Sequence, residues 1–127
     1  MHKKCNQQLG FRHAIRLKKD GTMLGTCGVN TIKQSDDDFA VVIGYELHPN
    51  AWGEGYMQEA LVGLIQYLKQ ERLFQKQIKY VWAEIFEQNI RSQQVVQKLG
   101  FELIGHIANE TGNNLSASLL KYELKLF

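Results

Sequence analysis

The chain has 127 residues, a formal net charge of +2 at pH 7 and 44% hydrophobic residues. This length predicts a single domain over residues 1–127 with one sizeable hydrophobic core. Lysine and arginine are spread along the chain rather than gathered in a block, which argues against a nucleic-acid-binding protein. No apolar run approaches the roughly 20 residues that span a bilayer, and the first residues lack the apolar stretch of a signal peptide. We therefore expect a cytoplasmic protein with no membrane partner.

The cysteines and histidines predict no metal site. Cys5 and Cys27 are far apart and outside the spacings typical of zinc ligands or of a disulfide framework. Nothing near Cys27 in the sequence supplies a base or a positive charge, so we expect a buried thiol rather than a nucleophile. His2 and His106 have no partners in the sequence, and His13 is expected to lie in the core.

The first predicted elements form an antiparallel hairpin. Over residues 11–18, one set of alternating positions is mainly apolar and the other mainly charged, which is the pattern of a strand with one buried face. Asp20-Gly21 favours a tight turn, so residues 23–32 are predicted to return antiparallel to the first strand. The acidic segment 34–38 is predicted to be the next turn.

A strand, a glycine turn, a helix and a second strand follow. Residues 39–47 are almost continuously apolar, which predicts a central strand covered on both faces, with a bulge at Gly44. After the Gly53-Glu54-Gly55 turn, apolar residues recur at helical spacing from residue 57 to near residue 73. Residues 78–86 are rich in β-branched and aromatic side chains, so we expect a parallel strand that completes a βαβ unit.

The C-terminal part predicts a short helix and two strands. Asn89 is a suitable N-cap, Ser92 shares one face with the apolar residues that follow it, and Gly100 ends the helix. Residues 101–107 and 115–126 are predicted to pair antiparallel through a loop at 109–114. The whole pattern indicates an α/β protein with a mixed sheet.

The glycine turn is a candidate anion site. It joins the C-terminal end of the central strand to the start of the longest helix, where open α/β sheets bind ligands. Backbone N–H groups at a helix N-terminus lack intrahelical partners and lie at the positive end of the helix dipole. No third glycine of a dinucleotide-binding fingerprint follows, and no Gly-Lys-Ser/Thr of a P-loop is present. A different phosphate ligand is therefore expected.

Three segments resemble a known family, the GCN5-related N-acetyltransferases (GNAT), and within it the branch of RimJ/RimL-like ribosomal-protein N-acetyltransferases. They are IGYELHPNAWGEGYMQEA at residues 43–60, AEIFEQNIRS at 83–92 and VVQKLGF at 95–101. Their order and spacing match the family from about residue 11 onward. The resemblance implies a GNAT-like acyl-CoA N-acyltransferase fold, truncated at the N-terminus, with acetyl-CoA as co-substrate and an amine as acceptor.

The cofactor contacts follow from the anion site and the resemblance together. Backbone amides of the turn are predicted to hold the pyrophosphate; they belong to Trp52, Gly53, Glu54, Gly55, Tyr56 and Met57. The resemblance places the pantetheine arm along Leu47 and His48 and brings Asn89 to the same arm. N-capping is the alternative role of Asn89, and the two roles are compatible.

Two side chains are candidates for the chemistry. Glu46 lies among small residues on one face of the central strand, where partial burial would strengthen it as a base for the acceptor ammonium. A salt-bridged or solvated carboxylate is the alternative, with Glu84 as the reserve base. By the resemblance, Ser92 protonates the leaving thiolate, because Val96 stands where many family members have tyrosine. A structural serine bonded to a helix carbonyl is its alternative. A backbone N–H near Leu47 or His48 is expected to stabilise the oxyanion.

The sequence departs from the family in two places. Asn50 stands where the general motif often has Gln or Arg, and the strand and two helices that usually begin the family and shape the acceptor pocket are largely missing before Phe11. We therefore expect an acceptor side that is incomplete, supplied by a partner chain, or lost altogether. The strand at 11–18 would be an exposed sheet edge, which predicts a homodimer or another covering device.

The expected function is N-acetylation of a primary amine. A protein or peptide N-terminal amine is the first choice by branch resemblance. The alternatives are a small-molecule amine, such as a polyamine or antibiotic, and a non-catalytic module that binds coenzyme A or a partner protein.

Overall fold

A computed structural model describes residues 11–35, 38–73, 76–108 and 118–127. Within these ranges the strands are β1 (Phe11–Arg16), β2 (Met23–Ser35), β3 (Asp38–Leu47), β4 (Arg72–Leu73), β5 (Lys76–Phe86), β6 (Glu102–Ala108) and β7 (Ser118–Lys125). The helices are α1 (Tyr56–Gln70) and α2 (Ile90–Lys98), and a one-turn 3-10 helix covers Pro49–Ala51. None of the described helices is long and apolar enough to cross a membrane.

The strands form one mixed sheet in the order β1-β2-β3-β5-β7-β6, with β4 paired to the start of β5. β3 and β5 are parallel, while the other pairs are antiparallel. The predicted hairpin, βαβ unit and final antiparallel pair are confirmed. The predicted turn at 34–38 is too long, because β2 continues to Ser35 and β3 begins at Asp38. The predicted loop at 109–114 lies outside the described residues.

Helices α1 and α2 contribute to one hydrophobic core with the sheet. The buried residues of α1 are Met57, Leu61, Leu64, Ile65 and Leu68, which recur at helical spacing as predicted. The helix ends at Gln70 rather than near residue 73, because Glu71 is extended and Arg72 and Leu73 pair with the start of β5. Strand pairing there takes the backbone groups that a longer helix would use.

The two central strands separate at one end of the sheet. β3 pairs with β5 only as far as Ile43 opposite Ala83, yet β3 continues beside β2 to Leu47 and β5 continues beside β7 to Phe86. The last residues of β3 therefore have a sheet partner on one side only. The gap that opens between the strands lies directly before the glycine turn and α1.

The irregularity near Gly44 belongs to the neighbouring strand. The β2–β3 register shifts between Val29 and Thr31, so Asn30 of β2 is the extra residue and Gly44 itself is not bulged. A Cβ at Gly44 would lie 2.5 Å from Asn30 Nδ2. The glycine is thus needed to make room for the bulged asparagine, and the prediction of a bulge within β3 is wrong.

The edge strand β1 is only half covered. Phe11 and Ile15 are half-buried, and the Phe11 ring meets Tyr67 of α1 edge-on at 6.1 Å. His13 shares their face but is exposed, so the prediction of a core histidine is wrong. Cys27 on β2 is 5% exposed, and burial raises the pKa of its thiol, which confirms the prediction of a buried thiol. Cys5 lies outside the described residues.

Candidate functional site

A cavity of about 660 Å³ lies between the free end of β3, the glycine turn and α2. Its volume falls within the usual range for ligand pockets. The lining residues are Tyr45, Glu46, Leu47, Trp52, Gly53, Gly55, Tyr56, Met57, Gln58, Asn89, Arg91, Ser92, Gln94, Val95 and Lys98. Most of the residues predicted from the sequence to bind cofactor or to carry the chemistry therefore meet in one place.

Three of the residues predicted from the sequence do not line this cavity. His48 and Glu54 are exposed and are not among its lining residues. Glu84, the reserve base, is half-buried on β5 opposite Lys121 of β7 and does not line the cavity either. These positions leave Glu46 as the candidate carboxylate within the cavity wall.

The glycine turn leaves the first N–H groups of α1 available. Gly53 and Gly55 have φ values of 84° and 81°, a left-handed conformation that side chains other than glycine rarely adopt. Gly55 is the N-cap of α1 and makes no side-chain cap bond. The orphan donors of the helix N-terminus can therefore bind an anion. The residues present fit a cofactor diphosphate.

The end of β3 presents one main-chain donor to the gap. His48 N–H donates to the Leu24 carbonyl at 2.8 Å, so it is not free to stabilise an oxyanion, and the prediction is corrected on this point. Hydrogen bonds alternate in direction along an antiparallel strand, so the Leu47 N–H points away from β2, toward the gap. The Leu47 carbonyl accepts a bond of 3.0 Å from Trp52 Nε1. Leu47 N–H is the remaining candidate.

Glu46 stands where two cavities meet. It lines the large cavity and also a smaller one of about 260 Å³, whose walls include Met23 and His48. Glu46 is exposed, so the expectation of partial burial is wrong. Ala40 and Val42 on the same strand face are buried. Glu46 lies beyond the last β3–β5 pair, and none of the described strands pairs with β3 there on the β5 side.

Both the backbone N–H and the backbone carbonyl of Ser92 are hydrogen-bonded to side chains. Asn89 Oδ1 accepts a bond of 3.2 Å from Ser92 N–H, which confirms the predicted N-cap. The Ser92 carbonyl accepts a bond of 2.9 Å from Tyr45 Oη. Ser92 is half-buried in the cavity wall, and within the described residues its hydroxyl makes no bond to a helix carbonyl. The hydroxyl is free to act on a ligand.

Sequence reasoning missed Tyr45. Burial raises the pKa of Tyr45 to about 12, so its hydroxyl stays protonated near neutral pH and remains a donor. Tyr45 alternates with Glu46 along β3 and points to the helix-covered face, where it ties β3 to α2. Tyr45 lies within the segment at residues 43–60 that resembles the GNAT family, which was a signal of a role in the site. The sequence did not show which face of β3 is covered by α2.

Sequence reasoning also missed Gln93. Its Nε2 donates to the Glu87 carbonyl at 2.9 Å, and its Oε1 accepts a bond of 3.1 Å from Tyr122 Oη. Gln97 Nε2 donates to the same tyrosine at 3.2 Å. The buried residues of α2 are Gln93 and Val96, so its inward face is rotated from the predicted face that includes Ser92. This rotation turns Ser92 to the cavity.

Two cations on α2 reach the cavity wall. Arg91 lies with its guanidinium 4.5 Å from the centroid of the Trp52 ring, and Lys98 stands two turns further along the helix. Within the described ranges, no three His, Cys, Asp or Glu side chains form a group that could hold a metal ion. The local charges of this wall therefore favour an anionic ligand.

The arrangement of the sheet, the strand gap and the glycine turn defines a class of protein. Residues 1–102 match the family described as the acetyltransferase (GNAT) domain. The chain belongs to this family. It is also similar to the "Uncharacterized N-acetyltransferase p20" of Bacillus licheniformis, with 31% identity over 94 residues, 74% of this chain and 49% of that protein. The chain spans about half the length of the curated relatives it matches.

Solved structures share the fold. The ribosomal-protein-S5-alanine acetyltransferase from Vibrio fischeri superposes with a TM-score of 0.75 at 21% identity, covering 92% of this chain and 62% of that one. The microcin C7 self-immunity acetyltransferase MccE, in complex with acetyl-CoA and AMP, gives a TM-score of 0.67 at 25% identity, covering 82% and 55%. The predicted GNAT-like α/β fold is thus confirmed.

Proposed function

We propose that this domain transfers an acetyl group from acetyl-CoA to a primary amine, with a protein or peptide N-terminal amine as the first candidate acceptor. Membership in the GNAT family supports the reaction class. The observation that carries the assignment is that the uncapped N-terminus of α1 and the free end of β3 line one cavity together with Glu46 and Ser92. MccE, which has the same fold, binds acetyl-CoA.

The cofactor lies with its diphosphate on the backbone amides of the turn after β3. Gly53 and Gly55 let the phosphates approach the main chain closely, and the positive end of the α1 dipole stabilises their charge. The pantetheine arm then runs into the gap beside Leu47. Asn89 both caps α2 and lines the cavity beside this arm.

The chemistry requires a base, an oxyanion donor and an acid. Glu46 takes a proton from the acceptor ammonium, and the free amine attacks the thioester carbonyl. Leu47 N–H donates to the carbonyl oxygen as negative charge develops on it. The C–S bond then breaks. The Ser92 hydroxyl protonates the departing thiolate and recovers its own proton from the attacking nitrogen, which loses its second proton as the amide forms. The reaction yields an N-acetylated product and free coenzyme A.

The acceptor class is proposed on the RimJ/RimL-like motifs. Two proteins of the same fold are named for different targets, ribosomal protein S5 alanine in one case and microcin C7 self-immunity in the other. A small-molecule amine therefore remains the second candidate. An acceptor reaches Glu46 through the smaller cavity, whose walls include the apolar residues Met23, Leu47 and Pro49.

The test is release of free thiol from acetyl-CoA with three acceptor sets: peptides with free N-termini, polyamines, and no amine. We expect amine-dependent thiol release by the wild type and a large loss in Glu46→Gln and Ser92→Ala. Glu84→Gln, which removes a carboxylate outside the cavity, is the matched control and should retain activity. Binding of acetyl-CoA by calorimetry without turnover of any amine would instead identify a non-catalytic coenzyme A module.

A further inference from the structure

Arg91 is a cation in the cavity wall to which the proposed cofactor contacts give no role. It lies in the first turn of α2, exposed to solvent, with its guanidinium stacked over Trp52 at 4.5 Å. Trp52 is held in turn by the bond from its Nε1 to the Leu47 carbonyl. A chain of contacts therefore runs from β3 through Trp52 to α2 along the cavity wall.

Stacking fixes the plane of the guanidinium but leaves its edge free. Arginine stacks on an aromatic ring through its face, while its five N–H donors point outward in the plane. Within the described residues, none of these donors has a hydrogen-bond partner, and Arg91 forms no ion pair there. A flexible side chain is thus held in one orientation with unused donors beside the glycine turn.

Charge indicates what these donors bind. A helix N-terminus supplies only about half an elementary charge, whereas the diphosphate of coenzyme A carries two negative charges at neutral pH. Backbone amides alone leave most of that charge unmatched. A guanidinium forms paired, charge-assisted hydrogen bonds with phosphate oxygens that are about twice as strong as neutral ones. Trp52 brings this group to the turn that holds the diphosphate.

We propose that Arg91, oriented by Trp52, binds the diphosphate of the cofactor and makes the site selective for coenzyme A esters over acyl-pantetheine. Trp52 is then a positioning residue as well as part of the turn. The inference rests on the proposed function, because it requires acetyl-CoA to occupy this cavity. The experiment distinguishes failure of this inference from failure of the proposed function, because binding to the wild type is measured independently of the variants.

The experiment compares three ligands by calorimetry: acetyl-CoA, its 3′-dephospho form, which keeps the diphosphate, and acetyl-pantetheine, which has no phosphate. We expect Arg91→Gln to weaken binding of both diphosphate ligands by about tenfold and equally, and to change binding of acetyl-pantetheine by less than about twofold. Arg91→Lys should restore only part of the loss, because lysine lacks the planar fork. Lys69→Gln, with the same charge change on α1 outside the cavity, is the matched control.

A second measurement reports on Trp52 itself. The chain has two tryptophans, so Trp82→Phe leaves Trp52 as the only indole. Acetyl-CoA should change its fluorescence, and the change should be smaller in the Arg91→Gln background. A loss confined to acetyl-CoA would assign Arg91 to the 3′-phosphate, and an equal loss for all three ligands would assign it a structural role. Either result overturns the inference, while failure of the wild type to bind acetyl-CoA overturns the proposed function itself.

Discussion

The hydroxyl of Tyr45 on β3 donates a 2.9 Å hydrogen bond to the carbonyl of Ser92 on α2, across the gap where β3 and β5 separate. The bond joins the two walls of the cavity at the level of both proposed catalytic groups. Tyr45 directly precedes Glu46 in the chain, and Ser92 carries the proposed acid. The bond therefore helps to set the width of the cavity at this level.

Removing this bond should weaken cofactor binding more than chemistry. Tyr45→Phe keeps the ring and loses the hydroxyl, with an expected stability loss of about 1 kcal/mol. We expect KM for acetyl-CoA to rise while kcat falls by a smaller factor, because the variant loosens the wall without removing a reacting group. Steady-state kinetics with chemical denaturation of both proteins measures the two effects. A fall in kcat alone would assign Tyr45 to the chemistry instead.

The same tyrosine should make stability depend on alkaline pH. Burial raises its pKa to about 12, whereas an unfolded tyrosine titrates near 10. The stabilising contribution of the neutral hydroxyl is thus complete below about pH 10 and lost as pH rises through 12. The free energy of unfolding should fall more steeply between about pH 10 and pH 12 in the wild type than in Tyr45→Phe. Burial also raises the pKa of Cys27 and Tyr67, but both are present in each protein and cancel in the difference.

Glu46→Gln should abolish most turnover and preserve cofactor binding. The amide cannot take a proton from the acceptor ammonium, and a positioned base contributes roughly 10² to 10⁴ in rate. Glu46 is exposed, so the change should cost little stability. Thiol-release kinetics and calorimetry, with Glu84→Gln as the control, check both points. Full activity in Glu46→Gln and a large loss in Glu84→Gln would move the base to β5.

Adding one methyl group at the glycine turn should impair the anion site. Gly55→Ala meets no atom within 4 Å, but its φ of 81° is strained for alanine, so we expect a stability loss of about 1 kcal/mol. Relief of this strain would tilt the first turn of α1 and misplace its donors, which lowers affinity for acetyl-CoA. Gly63→Ala, in the middle of α1 with open space around it, should be neutral or stabilising and serves as the control. Unchanged affinity in Gly55→Ala would argue against ligand contact at this turn.

Loss of the buried Gln93 amide should destabilise the packing of α2 against the rest of the protein. Gln93→Ala leaves the Glu87 carbonyl without this donor and the Tyr122 hydroxyl without its acceptor, at an expected cost of about 1 to 3 kcal/mol. Gln66→Ala on the exposed face of α1 is the matched control and should change stability by less than about 0.5 kcal/mol. Thermal and denaturant unfolding measure the difference. Equal stability of the two variants would show that the network contributes nothing net.

Local sequence patterns predicted the strands, the turn and the helices that build the site. The exposure of individual side chains depends on tertiary packing, which these patterns do not show. The nearly continuous apolar run before Leu47, the glycines of the turn and the helical spacing after Met57 are all local signals. The exposure of Glu46 depends instead on where β5 stops pairing with β3. The exposure of His13 depends on how far α1 covers the sheet edge. Gln93 is polar, so a search for apolar periodicity did not place it on the inward face of α2. The prediction gave that face to Ser92 and the apolar residues that follow it.

We propose above that backbone amides at the start of α1 hold the diphosphate of acetyl-CoA. An amide NMR titration tests it most directly, with saturation of the ¹⁵N-labelled protein verified by calorimetry on the same sample. We expect the largest shifts on the backbone amides of residues 53–57, with smaller ones at Leu47 and Asn89 and almost none in β1. Saturated protein in which the amides of residues 53–57 do not move would contradict it.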